Sequence, residues 1–256
     1  MTDDVVLFRV EAGVASLTLN RPAQGNAMSL ELMEALLAAI QDAEANLSCQ
    51  VLVIRGAGRV FCGGGDLNDL ARAGEDDELQ NRMVTALQDA MYALAASRLV
   101  VVGVVGGAAA GAGLGLVLNA DIVLASTKAS FHGAYGAIGL TPDAGVSYLL
   151  PGAIGTKRAA TMLLAGAPVS ATTAHEWGLV AELLEPDQLD ARADELATKL
   201  ATGAAQALGT TKRLLGAPTL AGYRAHLKDE AREITDISTH PDTQARIRSL
   251  IDRAMK

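Results

Sequence analysis

Aromatic side chains are scarce in this chain: one Trp, four Tyr and three Phe make up 3% of its 256 residues. A core with so few rings must be filled by Ala, Val, Leu and Ile in close-packed layers, and half of the residues are hydrophobic. Only two cysteines occur, Cys49 and Cys62, too few for a disulfide framework or a thiolate metal site. The histidines (His132, His175, His226 and His240) show neither HxxxH nor HExxH spacing, so no metal site is expected. A surplus of basic charge is missing too. The net charge of −8 excludes sequence-independent nucleic-acid binding, yet leaves room for an anionic small ligand held by a few local cations. The opening MTDDVVLFRV has acidic residues ahead of its apolar run and no cleavage-site pattern, so a reducing cytoplasm is the expected compartment.

One long uncharged stretch is present. Residues 99–120, LVVVGVVGGAAAGAGLGLVLNA, lie between Arg98 and Asp121. Their length alone would permit a membrane span. Six of the twenty residues from Leu99 to Leu118 are glycine, however, and the β-branched run fills only the first third. The stretch therefore reads as a strand (LVVVGVV), a glycine-alanine turn (GGAAAGAG) and a helix (LGLVLNA), followed by a further strand, DIVLAS.

The rest of the chain follows the same alternation. VVLFRVEAGVASLTLNRP is a hairpin turning near Glu11-Ala12-Gly13, and a helix follows Ser29. VLVIRG (51–56) is a buried strand, and RVFCGGGDLNDL leaves it through glycines toward a helix. AGEDDELQN (73–81) reads as a solvated loop or a helix start, and from Pro186 onward almost everything is helical. Repeating strand–helix units predict α/β architecture.

The glycines exclude two nucleotide folds and leave a third use. Gly111, Gly113 and Gly115 form GxGxG, out of register with the dinucleotide fingerprint, and no lysine between 99 and 127 supplies a P-loop. Two glycine turns at strand ends, FCGGGDL (61–67) and AAAGAGLG (108–115), could instead face each other with free N–H groups and form an oxyanion hole. Tight turns needed only for packing are the alternative.

The same segments resemble a known family. RVFCGGGDLNDL is similar to the FxxGxDL signature of the enoyl-CoA hydratase/isomerase (crotonase) superfamily, and VVGGAAAGAGLGLVLNADIVLAS to its second signature. LNRPAQGNAMSLELM, SATTAHEWGLV and the helical tail fit in order, so the resemblance covers essentially the whole chain. It implies a crotonase-like α/β spiral of ββα units over residues 1–200, and a helical C-terminal region over 201–256 that serves oligomerisation. It also implies an acyl-CoA substrate, no cofactor, and a homotrimer or a hexamer made as a dimer of trimers. By position, the oxyanion donors are the backbone N–H groups of Gly65 and Ala112. The substrate-binding wall is expected to include Ala27, Gly63, Gly64, Asp66, Leu67 and Tyr135. Asp66 also reads as the cap of its turn, and Asp121 as structural. The sequence departs from the family at Gly106, normally Asn, and at Asn68, where many relatives have Lys. Arg21, Arg59, Arg72, Arg253 and Lys256 are the remaining candidates for the coenzyme A phosphates.

The resemblance also narrows the reaction. The two glutamates of the family's hydratases fall on Gly115 and Tyr135, and neither can act as a carboxylate. In IGLTPDAGVSYLLP, Asp143 lies where enoyl-CoA isomerases, and the ring-opening isomerase of phenylacetate breakdown, carry an acidic base. A double-bond shift needs one base and one oxyanion hole. The expected activity is therefore acyl-CoA double-bond isomerisation through Asp143. Hydration by an atypical acid, and a non-catalytic acyl-CoA-binding subunit, are the alternatives. Asp143 also matches the nucleophile of 4-chlorobenzoyl-CoA dehalogenases, but the tryptophan of those enzymes is Tyr135 here and their histidine falls near Gln88. Thr141-Pro142-Asp143-Ala144 reads equally as a structural helix start, with Thr141 as N-cap and Asp143 in the first turn.

The expectation for assembly is direct. Light scattering should return the mass of three or six chains, and an active monomer would refute it.

Overall fold

The computed structural model describes residues 4–254. β1 (Val6–Glu11) and β2 (Val14–Leu19) form the antiparallel hairpin, with Glu11 opposite Val14. Ala12 and Gly13 turn it with φ of 48° and 82°, the hand that matches the twist of paired strands. α1 (Leu30–Ala45) is capped by Ser29, whose hydroxyl accepts the Leu32 N–H, and it buries Leu32, Met33, Leu36 and Ile40.

Three strand–strand–helix turns follow. The first is β3 (Val51–Gly56), β4 (Val60–Cys62), α2 (Leu67–Ala73) and α3 (Asp77–Ala96). The second is β5 (Val100–Val105), β6 (Ala108–Ala110) and α4 (Ala112–Leu118). The third is β7 (Ile122–Ser126), β8 (Ser130–His132), α5 (Tyr135–Ile138), α6 (Val146–Ile154) and α7 (Thr156–Leu164). The first strand of each turn joins a six-stranded sheet, β1-β2-β3-β5-β7-β10, and the second joins a four-stranded one, β4-β6-β8-β9. β9 (Val169–Ser170), α8 (Ala171–Glu176) and β10 (Glu182–Leu184) complete both sheets. α9 (Leu189–Ala201), α10 (Ala205–Ser238) and α11 (Pro241–Ala254) follow. The chain thus forms the expected crotonase-like α/β spiral of ββα units with a helical C-terminal region.

Parallel strands buried on both faces need unbroken apolar runs, and VLVIRG and VVVGVV supply them. Val51, Val53, Val102 and Val104 face α9 through Leu189, Ala193 and Leu196, whereas Leu52, Ile54 and Val101 face the main core. Residues 99–120 accordingly form no membrane helix, and no described helix is long and apolar enough to cross a bilayer. One detail differs from the sequence reading: the glycine-alanine turn contains β6, paired parallel to β4 and β8. Three alanines carry little strand signal. They become a strand because their neighbours offer free edges. The acidic segment at 73–81 resolves as the start of α3, where Asp76 accepts the N–H groups of Glu78 and Leu79.

α10 is pinned to the strands by a buried lysine. Lys212 Nζ donates to the carbonyls of Leu94 (3.1 Å) and Leu99 (2.8 Å) and pairs with Asp121 Oδ2 at 2.8 Å. Asp121 Oδ2 also accepts the Val101 N–H at 2.7 Å, so Asp121 has the structural role expected of it. Lys212→Met would keep the stem but leave the Leu94 and Leu99 carbonyls without this donor and Asp121 without its cation. We expect a loss of about 1–3 kcal/mol in chemical denaturation, and an unchanged midpoint would show the contact to be idle.

Candidate active site

The two glycine turns meet. Gly64 has φ of +97°, and a Cβ there would lie 3.0 Å from the Ala110 carbonyl oxygen. A Cβ on Gly111 would lie 3.6 Å from the Gly64 Cα, so the loops touch backbone to backbone. Met28 brackets the first loop: its N–H donates to the Gly64 carbonyl at 2.7 Å, and its carbonyl accepts the Asp66 N–H at 3.1 Å. Between these bonds, the Gly65 N–H has no hydrogen-bond partner among the described residues, and neither has the Ala112 N–H at the start of α4. Side chains line a cavity of about 340 Å³ beside this contact. Its wall includes Gly63, Gly64, Gly65, Leu67, Ala112, Tyr135 and Asp143, which the sequence reading had grouped. The rest is mostly apolar, with Leu70, Met83 and Leu87 from α2 and α3, and Ile234 and Leu250 from α10 and α11.

Among the described residues, Asp143 is the one acid in that wall. It lies in the loop between α5 and α6, half-buried, and its Oδ1 accepts the Tyr135 hydroxyl at 2.8 Å. Oδ2 has no hydrogen-bond partner among the described residues. Burial among apolar groups pushes the Asp143 carboxyl up to about 7, against the Tyr135 hydrogen bond, which favours the charged form; the charge of Glu230 adds to the rise. Burial likewise raises the Tyr135 phenol well above its ordinary value, so it stays a donor. Cys62, buried behind the first glycine loop, is pushed up to about 12 and is no thiolate nucleophile.

The helix-start reading of Asp143 is corrected. α6 begins at Val146 after Gly145, not at Pro142, and no side chain from its own segment caps it. Thr141 Oγ1 is buried without a hydrogen-bond partner. The cap comes instead from Glu230 on α10, which accepts the Gly145 N–H at 2.7 Å and the Ser147 N–H at 2.9 Å. Sequence reasoning missed Glu230. Its signal was an acid in the apolar stripe Tyr223, Leu227, Glu230, Ile234 of a helix.

Two grouped residues lie outside the cavity wall. Asp66 caps α2 by accepting the Asn68 N–H and pairs with Arg21 at 2.9 Å, so it shapes the glycine loop from behind. Ala27 accepts the other contact of Arg21 through its carbonyl, at 2.6 Å. Arg21 is thereby engaged within the fold through its Nη1. Arg72 pairs with Asp69, Arg59 and Arg253 are exposed, and Lys256 lies outside the described residues. At Gly115 a Cβ would come within 2.5 Å of the Ala144 Cβ. The loop carrying Asp143 fills the space that a side chain there would need.

Residues 9–252 match the family described as enoyl-CoA hydratase/isomerase. The chain is 34% identical over 223 residues to the trans-2-decenoyl-(acyl-carrier-protein) isomerase of Streptococcus mutans, covering 86% of this chain and 85% of that protein. It is 36% identical over 214 residues to the 1,2-epoxyphenylacetyl-CoA isomerase of Escherichia coli, covering 83% and 82%. The fold superposes on the crystal structure of an enoyl-CoA hydratase from Mycobacterium avium subsp. paratuberculosis with a TM-score of 0.89 at 30% identity, over 97% and 96% of the two chains.

Two substitutions probe this geometry. Tyr135→Phe removes the bond that favours the Asp143 carboxylate, so the Asp143 titration followed by carbon NMR should move above its wild-type midpoint. A downward move would contradict the assigned donor. Gly115→Ala should cost about 1–3 kcal/mol through overpacking against Ala144, read as a lower melting temperature.

Proposed function

The chain belongs to the enoyl-CoA hydratase/isomerase family, and we propose that it moves a double bond along an acyl-CoA thioester, with Asp143 as its single base. The observation that carries this reading is the lone carboxylate in the cavity wall among the described residues, with one oxygen tied to Tyr135 and burial pushing it up to about 7. A base whose pKa lies near the working pH can both take a proton and return it. Asp143 removes a proton from the α-carbon of a 3-enoyl thioester. The C–H electron pair passes into a dienolate whose charge rests on the thioester oxygen. The unpaired N–H groups of Gly65 and Ala112 are the proposed donors to that oxygen, in a setting where such bonds count most. Asp143 then returns the proton to the γ-carbon on the same face, leaving the 2-enoyl thioester with no atom gained or lost.

Hydration is the second reading, and the Tyr135–Asp143 contact is what favours it. Asp143 would activate water while Tyr135 supplied the proton. The absence of a second carboxylate in the cavity wall, and the packing of Ala144 at Gly115, support isomerisation over it. Incubation with 3-enoyl-CoA and 2-enoyl-CoA separately tells the two apart: an isomerase equilibrates them, whereas a hydratase consumes the 2-enoyl thioester to a 3-hydroxyacyl product. An acyl-CoA-binding subunit without chemistry would leave both unchanged.

Asp143→Asn keeps an acceptor for Tyr135 and removes the base. We expect kcat to fall by about 10²–10⁴ with KM little changed. Stability should respond in the opposite sense. Because the folded carboxyl holds its proton more tightly than the unfolded one, Asp143 lowers stability as pH rises from its ordinary value through about 7. At about pH 8, therefore, Asp143→Asn should melt no lower than the wild type. Near wild-type isomerisation by this variant would sink the assignment.

A further inference from the structure

The chemistry above leaves the buried carboxylate of Glu230 unused. Glu230 is 5% exposed and projects from α10 toward the start of α6. Its Oε2 accepts the Gly145 N–H at 2.7 Å, and its Oε1 accepts the Ser147 N–H at 2.9 Å together with the Ser147 hydroxyl. His226 Nε2 lies 2.8 Å from Ser147 Oγ and 3.8 Å from Glu230 Oε1. Both oxygens of Glu230 are thus tied to the turn that follows Asp143. A second, small cavity behind the first is lined by Asp143 and Glu230 together, with Ala144, Leu227 and Ile234.

We propose that Glu230 is a positioning residue for Asp143, acting from outside the acyl cavity to hold the base's turn and to present a like charge behind it. The inference rests on the reading of Asp143 as the base. The turn needs such support. Ala144 and Gly145 adopt φ of 54° and 79° in succession, and a non-glycine residue in the left-handed region persists only where its surroundings over-determine it. Glu230 supplies that constraint through the two N–H groups, and Ala144 packs against Gly115 from the other side.

The charge has a second consequence. Asp143 faces Tyr135 on α5, the protonated Cys62 on β4 and Glu230 on α10, so the acid among these neighbours is Glu230, whose charge opposes ionisation of Asp143. Glu230 faces Ser147, His226, the Tyr223 phenol and Asp143. Burial raises its own pKa, while the Gly145 and Ser147 bonds favour its charged form. Two carboxylates lining one small cavity disfavour each other's ionisation.

Glu230→Gln tests both roles. The amide keeps the shape but loses the charge, and it can accept only one of the two N–H groups with its oxygen. We expect the Asp143 carboxyl titration, followed by carbon NMR without substrate, to move down by about one unit. The acid limb of the kcat/KM profile should move with it, and kcat should fall by up to about 100-fold through displacement of the base. A folded Glu230→Gln protein with an unmoved titration and wild-type kcat overturns the proposal. Should this variant not fold, the wild-type spectrum decides: two-step titration of the Asp143 and Glu230 resonances supports coupling, and independent single steps overturn it. Asp143→Asn assayed in parallel keeps the questions separate. If that variant stays active, the base assignment fails, whereas the substrate-free titration still reports whether Glu230 acts on Asp143.

Discussion

Everything in the site depends on a contact with no side chains in it. Gly64 and Gly111 bring two backbone segments together at the ends of β4 and β6. That approach follows from the parallel alignment of these strands in the smaller sheet and from the missing Cβ of Gly64, which would otherwise meet the Ala110 carbonyl. The unpaired N–H groups of Gly65 and Ala112 follow from the same geometry: one belongs to a loop bracketed by Met28, the other to the first turn of a helix. A Cβ on Gly64 would press on the Ala110 carbonyl oxygen at 3.0 Å, and one on Gly111 would strain a backbone held at φ +52°.

The electrostatics of Asp143 reflect a contest that the fold settles. An apolar wall opposes charge on the carboxyl, and the Tyr135 hydroxyl supports it. Burial is the larger influence, so the carboxyl is pushed up to about 7 from its ordinary range. At a true helix start, backbone N–H groups would have opposed that rise by favouring the anion. Moving the start of α6 to Val146 and assigning its N–H groups to Glu230 leaves Asp143 free of that pull. The same arrangement places an acid from the C-terminal helices at the back of the Asp143 loop, so α10 bears on the site from two sides, through Ile234 in the cavity wall and Glu230 behind it.

Much of this was legible in the residues. Continuous apolar runs marked β3 and β5, Ser29 and Asp66 marked their helices, and FCGGGDL and AAAGAGLG marked the loops that meet. The weak points were those where local signals conflict or are silent. Thr141-Pro142-Asp143 has good helix-start chemistry, yet a partner 85 residues away took the capping role, and no local pattern reports such a distance. Ala108–Ala110 has little strand propensity and became β6 because its neighbours were strands. Asp66 was grouped with the substrate wall but turns its carboxylate to Arg21 and the start of α2.

The sequence by itself determined the architecture, the positions of the two glycine turns and the family, because periodicity, caps and glycine spacing are local properties that survive without coordinates. Only the tertiary structure decided what surrounds each group. That Asp143 faces an apolar cavity with Tyr135 on one oxygen, that Ala144 occupies the space at Gly115, and that Glu230 holds the turn between them are consequences of packing between segments far apart in the chain. Burial and partner distance set the protonation of an acid, and both are properties of the folded whole.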